Sequence, residues 1–461
     1  MDSVDVVVMA AGKGTRMKSS MPKVLHQVGG RALLRHVIDT AKQLQARRVV
    51  VITGHGAEQV EASLQGHSHL QCVRQMPQLG TGHAMQQAMP ALTDDGLTLV
   101  LSGDVPLIQA DTLQALLAMC DGQQLALLTL QTPSPTGYGR LVRNAQGQVQ
   151  AIVEEKDATP EQRLITDIYS GIMAVPTRLL RGWLARLDNH NAQQEYYLTD
   201  VVRFAVADGC TVAAHMITQA WQVEGVNNPL QLAALERAYQ HLQAEQCMLA
   251  GVRLADPARF DVRGHLSCGQ DVEIDVNCVF EGVVRLDDGV RIGPNCVIAN
   301  AHIGAGTIVQ AFTHIDGEQQ AVAVGKEARI GPFARLRPGA SLGDEVHIGN
   351  FVEVKNASLA RGAKANHLAY LGDATVGERV NYGAGSITAN YDGANKHRTV
   401  IEADVHVGSN SVLVAPVTLG AGGTIGAGST ITKDTAPGAL TVTRAKQTSI
   451  DNWARPVKTK K

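Results

Sequence analysis

The sequence predicts two folds in one chain of 461 residues: an α/β domain on a mostly parallel sheet, and a parallel β-helix of hexapeptide repeats, joined by a long helix. Three observations predict this. Short apolar runs alternate with helical patterns up to about residue 225, a single helix-length amphipathic segment follows, and beyond residue 270 the apolar period becomes six. The length also favours more than one domain, because a single hydrophobic core rarely grows past about 250–300 residues.

In the first part, residues 4–9, 49–53 and 97–102 are continuous apolar runs of buried-strand length. Between the first two, Leu33, Leu34, Val37, Ile38, Ala41 and Leu44 mark one face of a helix. Such alternation implies a three-layer domain whose ligands bind beyond the carboxyl ends of the strands. The connecting helix is bracketed by Asn228 as N-cap, Pro229 at its first position and Gly251 as its stop. Its apolar positions are Leu232, Leu235, Tyr239, Leu242 and Leu249. About 22 residues at 1.5 Å each make a rod of roughly 33 Å, which argues against direct passage of an intermediate between domains. The expected boundaries are 1–228, 229–251 and 252–461.

The period of six holds through Ile274, Phe280, Leu286, Ile292 and Ile298, and again through Val324, Ile330, Leu336, Leu342, Ile348 and Val354. A third run comprises Val407, Leu413, Leu419, Ile425 and Ile431. Glycine follows the inward residue at 325, 331, 343, 349, 408, 420 and 426. This spacing is the signature of a solenoid that sends one aliphatic residue inward per side and passes a small residue at each corner. The register breaks at 310–323 and 389–400 predict loops leaving the coil, where sites are readily built.

Composition narrows the function. A net charge of −2 gives no broad basic footprint for nucleic acid or an acidic membrane; the one dense basic run is the tail over 455–461. Seven scattered cysteines, without CxxC pairs, fit a reducing compartment. Neither a signal peptide nor an apolar stretch of roughly 20 residues is found, so a soluble cytoplasmic protein is expected.

Directly after the first apolar run stands Met9-Ala10-Ala11-Gly12-Lys13-Gly14-Thr15-Arg16-Met17, a small turn whose backbone amides can approach phosphate closely. It fits neither GxxxxGK[ST] nor GxGxxG. Asp104, in Ser102-Gly103-Asp104-Val105-Pro106, places a carboxylate at the end of a strand, where Mg²⁺ needs only one or two protein oxygens beside phosphate and water. In the last part, Arg337, Lys355 and Lys396 gather positive charge around the irregular stretch, which suits a phosphorylated substrate. His367, in Asn366-His367-Leu368-Ala369-Tyr370, is the candidate base, since histidine is the side-chain type whose charge changes near neutrality. Glu353 is placed to orient it or to accept charge.

The glycine turn with Pro22-Lys23-Val24-Leu25 resembles the sugar nucleotidyltransferase signature. Segments spread over the whole chain resemble the bifunctional N-acetylglucosamine-1-phosphate uridylyltransferase and glucosamine-1-phosphate acetyltransferase of bacteria. The resemblance implies a Rossmann-like nucleotidyltransferase domain followed by a left-handed β-helix, a handedness the periodicity does not supply. It implies that Arg16 and Lys23 serve the triphosphate, with Met9, Ala10, Ala11 and Gly12 lining the nucleotide site. Gln75, Gly80 and Thr81 would read uracil, and Gly139 and Glu154 would contact the acetylated sugar. Asn227 would join Asp104 on Mg²⁺, and Ser102 and Gly103 would contribute backbone. Tyr169 stands where the family generally has asparagine at the sugar, and its hydroxyl is the candidate replacement.

For the β-helix, the resemblance implies that Arg337, Lys355, Tyr370, Asn381 and Lys396 hold glucosamine 1-phosphate, with His367 as base. Ala384, Asn390, Tyr391, Ser409, Ala427 and Arg444 would line the acetyl-CoA site. The run Asn390-Tyr391-Asp392-Gly393-Ala394-Asn395-Lys396 is its most specific marker, since a loop interrupting a solenoid has no evident structural need for it. The implied reactions are acetylation of glucosamine 1-phosphate by acetyl-CoA, then coupling of N-acetylglucosamine 1-phosphate to UTP, for cell-wall glycan precursors. A homotrimer is implied as the acting form. The competing reading is a single-function sugar nucleotidyltransferase carrying a non-catalytic assembly module.

Overall fold

A computed structural model describes residues 3–66 and 69–458; of the basic tail over 455–461, positions 459–461 lie outside the described residues. The chain forms two compact units that divide between Tyr239 and Gln240.

The first unit is built on strands β1 (Ser3–Ala10), β2 (Arg48–Thr53), β3 (Leu70–Arg74), β4 (Gly96–Ser102), β5 (Leu125–Gln131), β6 (Gly139–Arg143), β7 (Val149–Val153), β8 (Asp167–Pro176) and β9 (Val212–Ile217). Their order is β9-β5-β8-β4-β1-β2-β3, with β6 on β8 and β7 on β6. β1 runs parallel to β2 and β4, whereas β8 is inserted antiparallel between β4 and β5. Alternate β1 residues serve opposite faces: Val6 and Val8 pack with Leu34, Val37 and Ile38 of helix α1 (Leu33–Gln43), and Val7 packs with Met85 and Trp183 on the other side. From β1 the chain moves outward through β2 and β3 and returns to the far side of β1 as β4. The carboxyl ends of β1 and β4 therefore flank the crevice where such sheets bind ligands.

The long helix, α2, spans Pro229–Leu249. Asn228 Oδ1 accepts from the Gln231 amide at 2.9 Å, a true N-cap. After the helix, Gly251 adopts φ 97° while its amide donates to Met248 O at 3.0 Å, a chain reversal that glycine makes without a Cβ penalty. Leu232, Leu235 and Tyr239 pack as the spacing predicts, but Leu249 is exposed. Further along, Ala244 and Cys247 make the apolar contacts instead. Asn228→Ala is expected to weaken the first turn by about 1 kcal/mol. Hydrogen exchange checks this: amides of the first turn should exchange severalfold faster, and unchanged exchange would show that the cap contributes nothing.

The second unit is a parallel β-helix. One face is a sheet of 11 short strands from Arg253–Leu254 to Leu440–Thr441, and the other two faces share a 16-stranded sheet. Successive coils stack in register, Ile330 on Ile348, Leu336 on Val354 and Leu342 on Leu359. Every residue of the three predicted hexad runs is buried in one continuous core. The glycine corners have a steric cause: a Cβ on Gly349 would lie 2.1 Å from Asn366 O, and one on Gly408 2.5 Å from Ala427 N.

The expected break at 310–323 is smaller than predicted. His314–Asp316 is a regular coil strand with Ile315 inward, and only residues 317–321 leave the coil, because a short insertion disturbs the period over a longer window than it occupies. The break at 389–400 is a loop over 390–398.

Candidate active sites

In the first unit the turn after β1 and the end of β4 meet. Met9 pairs with Ser102, and the Gly103 amide donates to Met9 O at 2.9 Å. Gly14 has φ 59°, and a Cβ there would stand 2.8 Å from Lys23 Cβ, so glycine allows Lys23 to lie against the turn. The Lys23 ammonium pairs with Asp104 Oδ2 and also donates to Asn227 Oδ1 at 3.3 Å. Arg16 Nη2 donates to that same amide oxygen at 2.9 Å. The structure thus brings Arg16, Lys23, Asp104 and Asn227 into one cluster. The Val226 amide, which donates to Asp104 O at 3.0 Å, fixes the approach of the Asn227 segment.

Ser102 contributes more than the backbone expected of it: its hydroxyl donates to Asp104 Oδ1 at 2.6 Å, leaving Oδ2 directed at Lys23. A divalent cation fits this donor set. A carboxylate oxygen and an amide oxygen, both hard, converge on one ammonium position, and phosphate and water would complete the shell. Among the described residues no group of three or more His, Cys, Asp or Glu could hold a metal by itself.

Beside the cluster lies a cavity of about 430 Å³ lined by Met9, Ala10, Ala11, Gly12, Lys23, Gln75, Gly80, Thr81, Ser102 and Asp104 among others. Gln75 is buried, with Nε2 donating to Gly80 O at 2.9 Å. Gly80 has φ 103°, and a Cβ there would lie 2.6 Å from Tyr196 O, so only glycine fits. Thr81 Oγ1 accepts from the Leu198 amide at 3.0 Å. Sequence reasoning did not assign five of the lining residues, Lys13, Val24, Gln78, Ala84 and Glu195. Gln78 stands between Gln75 and Gly80 and donates to Ala11 O at 2.6 Å, but Glu195 has no local signature.

Gly139, Glu154 and Tyr169 stand together outside that lining. Gly139 pairs with Tyr169 across β6 and β8, and Glu154 follows β7. Burial pushes the Glu154 carboxyl above its ordinary pKa, against a Thr199 hydroxyl that donates to it at 2.9 Å. Tyr169 is packed in the core, its hydroxyl buried without a hydrogen-bond partner, and burial, with the neighbouring Glu154 charge, pushes the phenol well up. As placed, that hydroxyl presents no surface to a sugar.

In the β-helix, Arg335, Glu353 and Tyr370 stack on one face. Glu353 does not orient His367. Its carboxylate accepts from Arg337 Nη1 at 2.8 Å and pairs with Arg335 at 3.6 Å, because both guanidinium groups share its face and His367 stands at the preceding corner. Arg337 first, then Lys396, push the Lys355 ammonium below its ordinary pKa, so three cations converge. The Tyr370 hydroxyl lies over Gly372, where a Cβ would meet it at 2.2 Å.

The Asn390 loop has a structural cause after all. Asn390 Nδ2 donates to Asp373 Oδ2 at 2.5 Å, Asp392 Oδ1 accepts from the Ala394 and Asn395 amides at 2.8 and 2.7 Å, and Tyr391 Oη donates to Gly393 O at 2.6 Å. The run is a self-bonded turn tied to the coil that presents Lys396 beside Lys355.

His367 is exposed at the end of its strand, and its carbonyl accepts from the Gly385 amide at 3.2 Å. Ala384 O accepts from the Asn410 amide and Ser409 O from the Gly428 amide, both at 2.8 Å. His367, Ala384, Ser409 and Ala427 therefore form one column, coil upon coil, and Arg444 Nη1 donates to Ala427 O at 2.9 Å at its end. The column thus sets small side chains next to His367. Asn381 is the exception: it stands between Lys364 and His406 on the 11-stranded face, not on the face of Tyr370.

The MobA-like NTP transferase domain family matches residues 6–167, and the bacterial transferase hexapeptide family (six repeats) matches residues 398–433. The bifunctional protein GlmU of Albidiferax ferrireducens is 70% identical over 99% of this chain and 100% of its own length. That of Polaromonas naphthalenivorans is 72% identical, covering 99% and 98%, and that of Nitrosospira multiformis 56% identical, covering 99% of each.

Proposed function

Because the chain belongs to the family of bifunctional GlmU proteins, we propose that it acetylates glucosamine 1-phosphate with acetyl-CoA and then couples the product, N-acetylglucosamine 1-phosphate, to UTP. It is an enzyme, a transferase of both acyl and nucleotidyl groups. The observation that carries the reading is that the two candidate sets converge separately, each on its own cluster of cations within its own unit.

In the acetyl transfer, Arg337, Lys355 and Lys396 hold the sugar phosphate, and His367 takes a proton from the neutral sugar amine as it attacks. The nitrogen attacks the thioester carbonyl, the C–S bond breaks, and the proton passes to the departing thiolate. The column Ala384, Ser409, Ala427 receives the carrier arm, and Asn390, Tyr391 and Arg444 flank it. In the nucleotidyl transfer, the sugar phosphate attacks the α-phosphorus of UTP and pyrophosphate leaves. Arg16 and Lys23 stabilise the charge that gathers on the phosphoryl oxygens. Asp104 and Asn227 would hold Mg²⁺, which neutralises triphosphate charge when bound. Gln75, Gly80 and Thr81 read uracil, and Gly139, Glu154 and the Tyr169 position shape the sugar end.

Two further parts belong to the proposal. The acting form is a homotrimer, supported by Asn381: on a face apart from Tyr370, it reaches a shared substrate more readily from a second copy. The cytoplasm is the compartment, since acetyl-CoA and UTP are made there; among the described residues no helix is long and apolar enough to cross a membrane.

Chelation separates the two activities. EDTA is expected to bring pyrophosphate release to background while thiol release from acetyl-CoA continues. Loss of both together, reversed together by Mg²⁺, would contradict a metal confined to the Asp104 cluster.

A further inference from the structure

The backbone around Asp104 is fixed from several sides. Ser102 ends β4 in register with Met9 of β1, and a Cβ on Gly103 would stand 3.1 Å from Met9 O. The Val105 amide closes the turn on Ser102 O at 3.2 Å, and the Val226 amide holds Asp104 O at 3.0 Å. What remains to be set is the rotation of the carboxylate, and a single side chain sets it. A carboxylate offers only acceptors, so the Ser102 hydroxyl must be the donor of the 2.6 Å bond to Oδ1. Oδ2 is thereby turned to the Lys23 ammonium, which also reaches Asn227 Oδ1. The side chains of Asp104 and Lys23 are only 13% and 15% exposed, so little water is at hand to replace the serine.

We propose that Ser102 decides which divalent cation this cluster accepts: by occupying Oδ1 it confines Asp104 to one ligating oxygen and so favours Mg²⁺ over Ca²⁺. The inference rests on the reading of Asp104 and Asn227 as the residues that hold Mg²⁺, and it adds what tells two ions of equal charge apart. Mg²⁺ is small, demands near-ideal octahedral geometry at about 2.0–2.1 Å and keeps several waters, so one carboxylate oxygen and one amide oxygen suit it, with phosphate beside them. Ca²⁺ takes about 6–8 oxygens at about 2.3–2.6 Å and can draw on both oxygens of one carboxylate. Here the second oxygen is already engaged. Giving it to the larger ion breaks a short hydrogen bond to a charged group, one of the stronger kinds, and leaves the serine hydroxyl without its acceptor. Ser102 acts on the ion only through Asp104, so it is a positioning residue.

The test titrates Mn²⁺ alone, as a stand-in for Mg²⁺, into the full-length protein, reads bound and free ion by electron paramagnetic resonance, and then displaces the bound ion with Mg²⁺ or with Ca²⁺. Ser102→Ala should weaken Mn²⁺ binding about tenfold, the lower end of the 10–100-fold loss usual when the partner of a metal ligand is removed. It should also narrow the preference for Mg²⁺ over Ca²⁺ as displacing ion by a similar factor. Ser102→Thr keeps the hydroxyl and should restore both, a rescue that a merely space-filling role would not give. Pyrophosphate release with Mg²⁺ should fall about tenfold in Ser102→Ala, while thiol release stays at the wild-type rate and reports an intact fold. An unchanged preference between the two ions in Ser102→Ala would overturn the inference and leave Asp104 as the metal's ligand. Mn²⁺ uptake that Asp104→Asn does not weaken, or no uptake by the wild type, would overturn the metal reading itself.

Discussion

His367→Ala is expected to lower thiol release from acetyl-CoA by about a thousandfold, within the range of 10²–10⁴ that a positioned general base contributes. Pyrophosphate release from UTP and supplied N-acetylglucosamine 1-phosphate should be unchanged, because His367 belongs to the second unit and the Lys23 cluster to the first. His367 is exposed and contributes to the fold mainly through its backbone, whose carbonyl accepts from Gly385, so alanine should preserve the coil. The expected pattern is a fall in kcat with little change in the KM for the sugar phosphate, which Arg337, Lys355 and Lys396 hold. A thiol release within tenfold of wild type would remove His367 from the reaction.

Asp104→Asn is expected to do the opposite. Asp104 takes the Lys23 ammonium on one oxygen and the Ser102 hydroxyl on the other. Removing the charge frees Lys23 from its ion pair and deprives a divalent cation of its one carboxylate in this cluster. Pyrophosphate release should fall by about 10²–10³-fold, the scale of losing one preorganised electrostatic group, with thiol release unaffected. Weaker binding of Mn²⁺, followed by its electron paramagnetic resonance, should accompany the loss. Unaltered Mn²⁺ binding would place the cation elsewhere.

What was legible in the sequence was what repeats or is local. The hexads named every inward residue tested because each coil makes the same steric demand, an aliphatic chain inside and a small residue at the corner. Asn228 and Gly251 marked the long helix because caps act within one turn. Strand direction was hidden: β8 is buried on both faces and reads like a parallel strand, yet it runs antiparallel to β4 and β5. At the sites, clustered residues such as Arg16, Lys23 and Asp104 sit in motifs at strand ends and so came together. Glu195 reaches the cavity from a distant loop, Glu353 found two guanidinium partners in the preceding coil, and Asn381 fell on another face. Those outcomes depend on three-dimensional stacking that no local window contains. The Asn390 run was recognisable, but the reason for it, a hydrogen-bonded turn anchored on Asp373, was visible only in the folded chain.

The central claim, two active sites that work independently of each other, is tested most directly by mixing the two variants. Supplied with glucosamine 1-phosphate, acetyl-CoA, UTP and Mg²⁺, neither the His367→Ala nor the Asp104→Asn protein should form the nucleotide sugar at more than about 1% of the wild-type rate, by the losses expected of each. The mixture should form it readily, because the acetylated intermediate made by one protein diffuses to the other. A mixture as inactive as its components, or Asp104→Asn protein that releases no thiol, would contradict independent sites and leave a nucleotidyltransferase attached to a β-helix that does no chemistry.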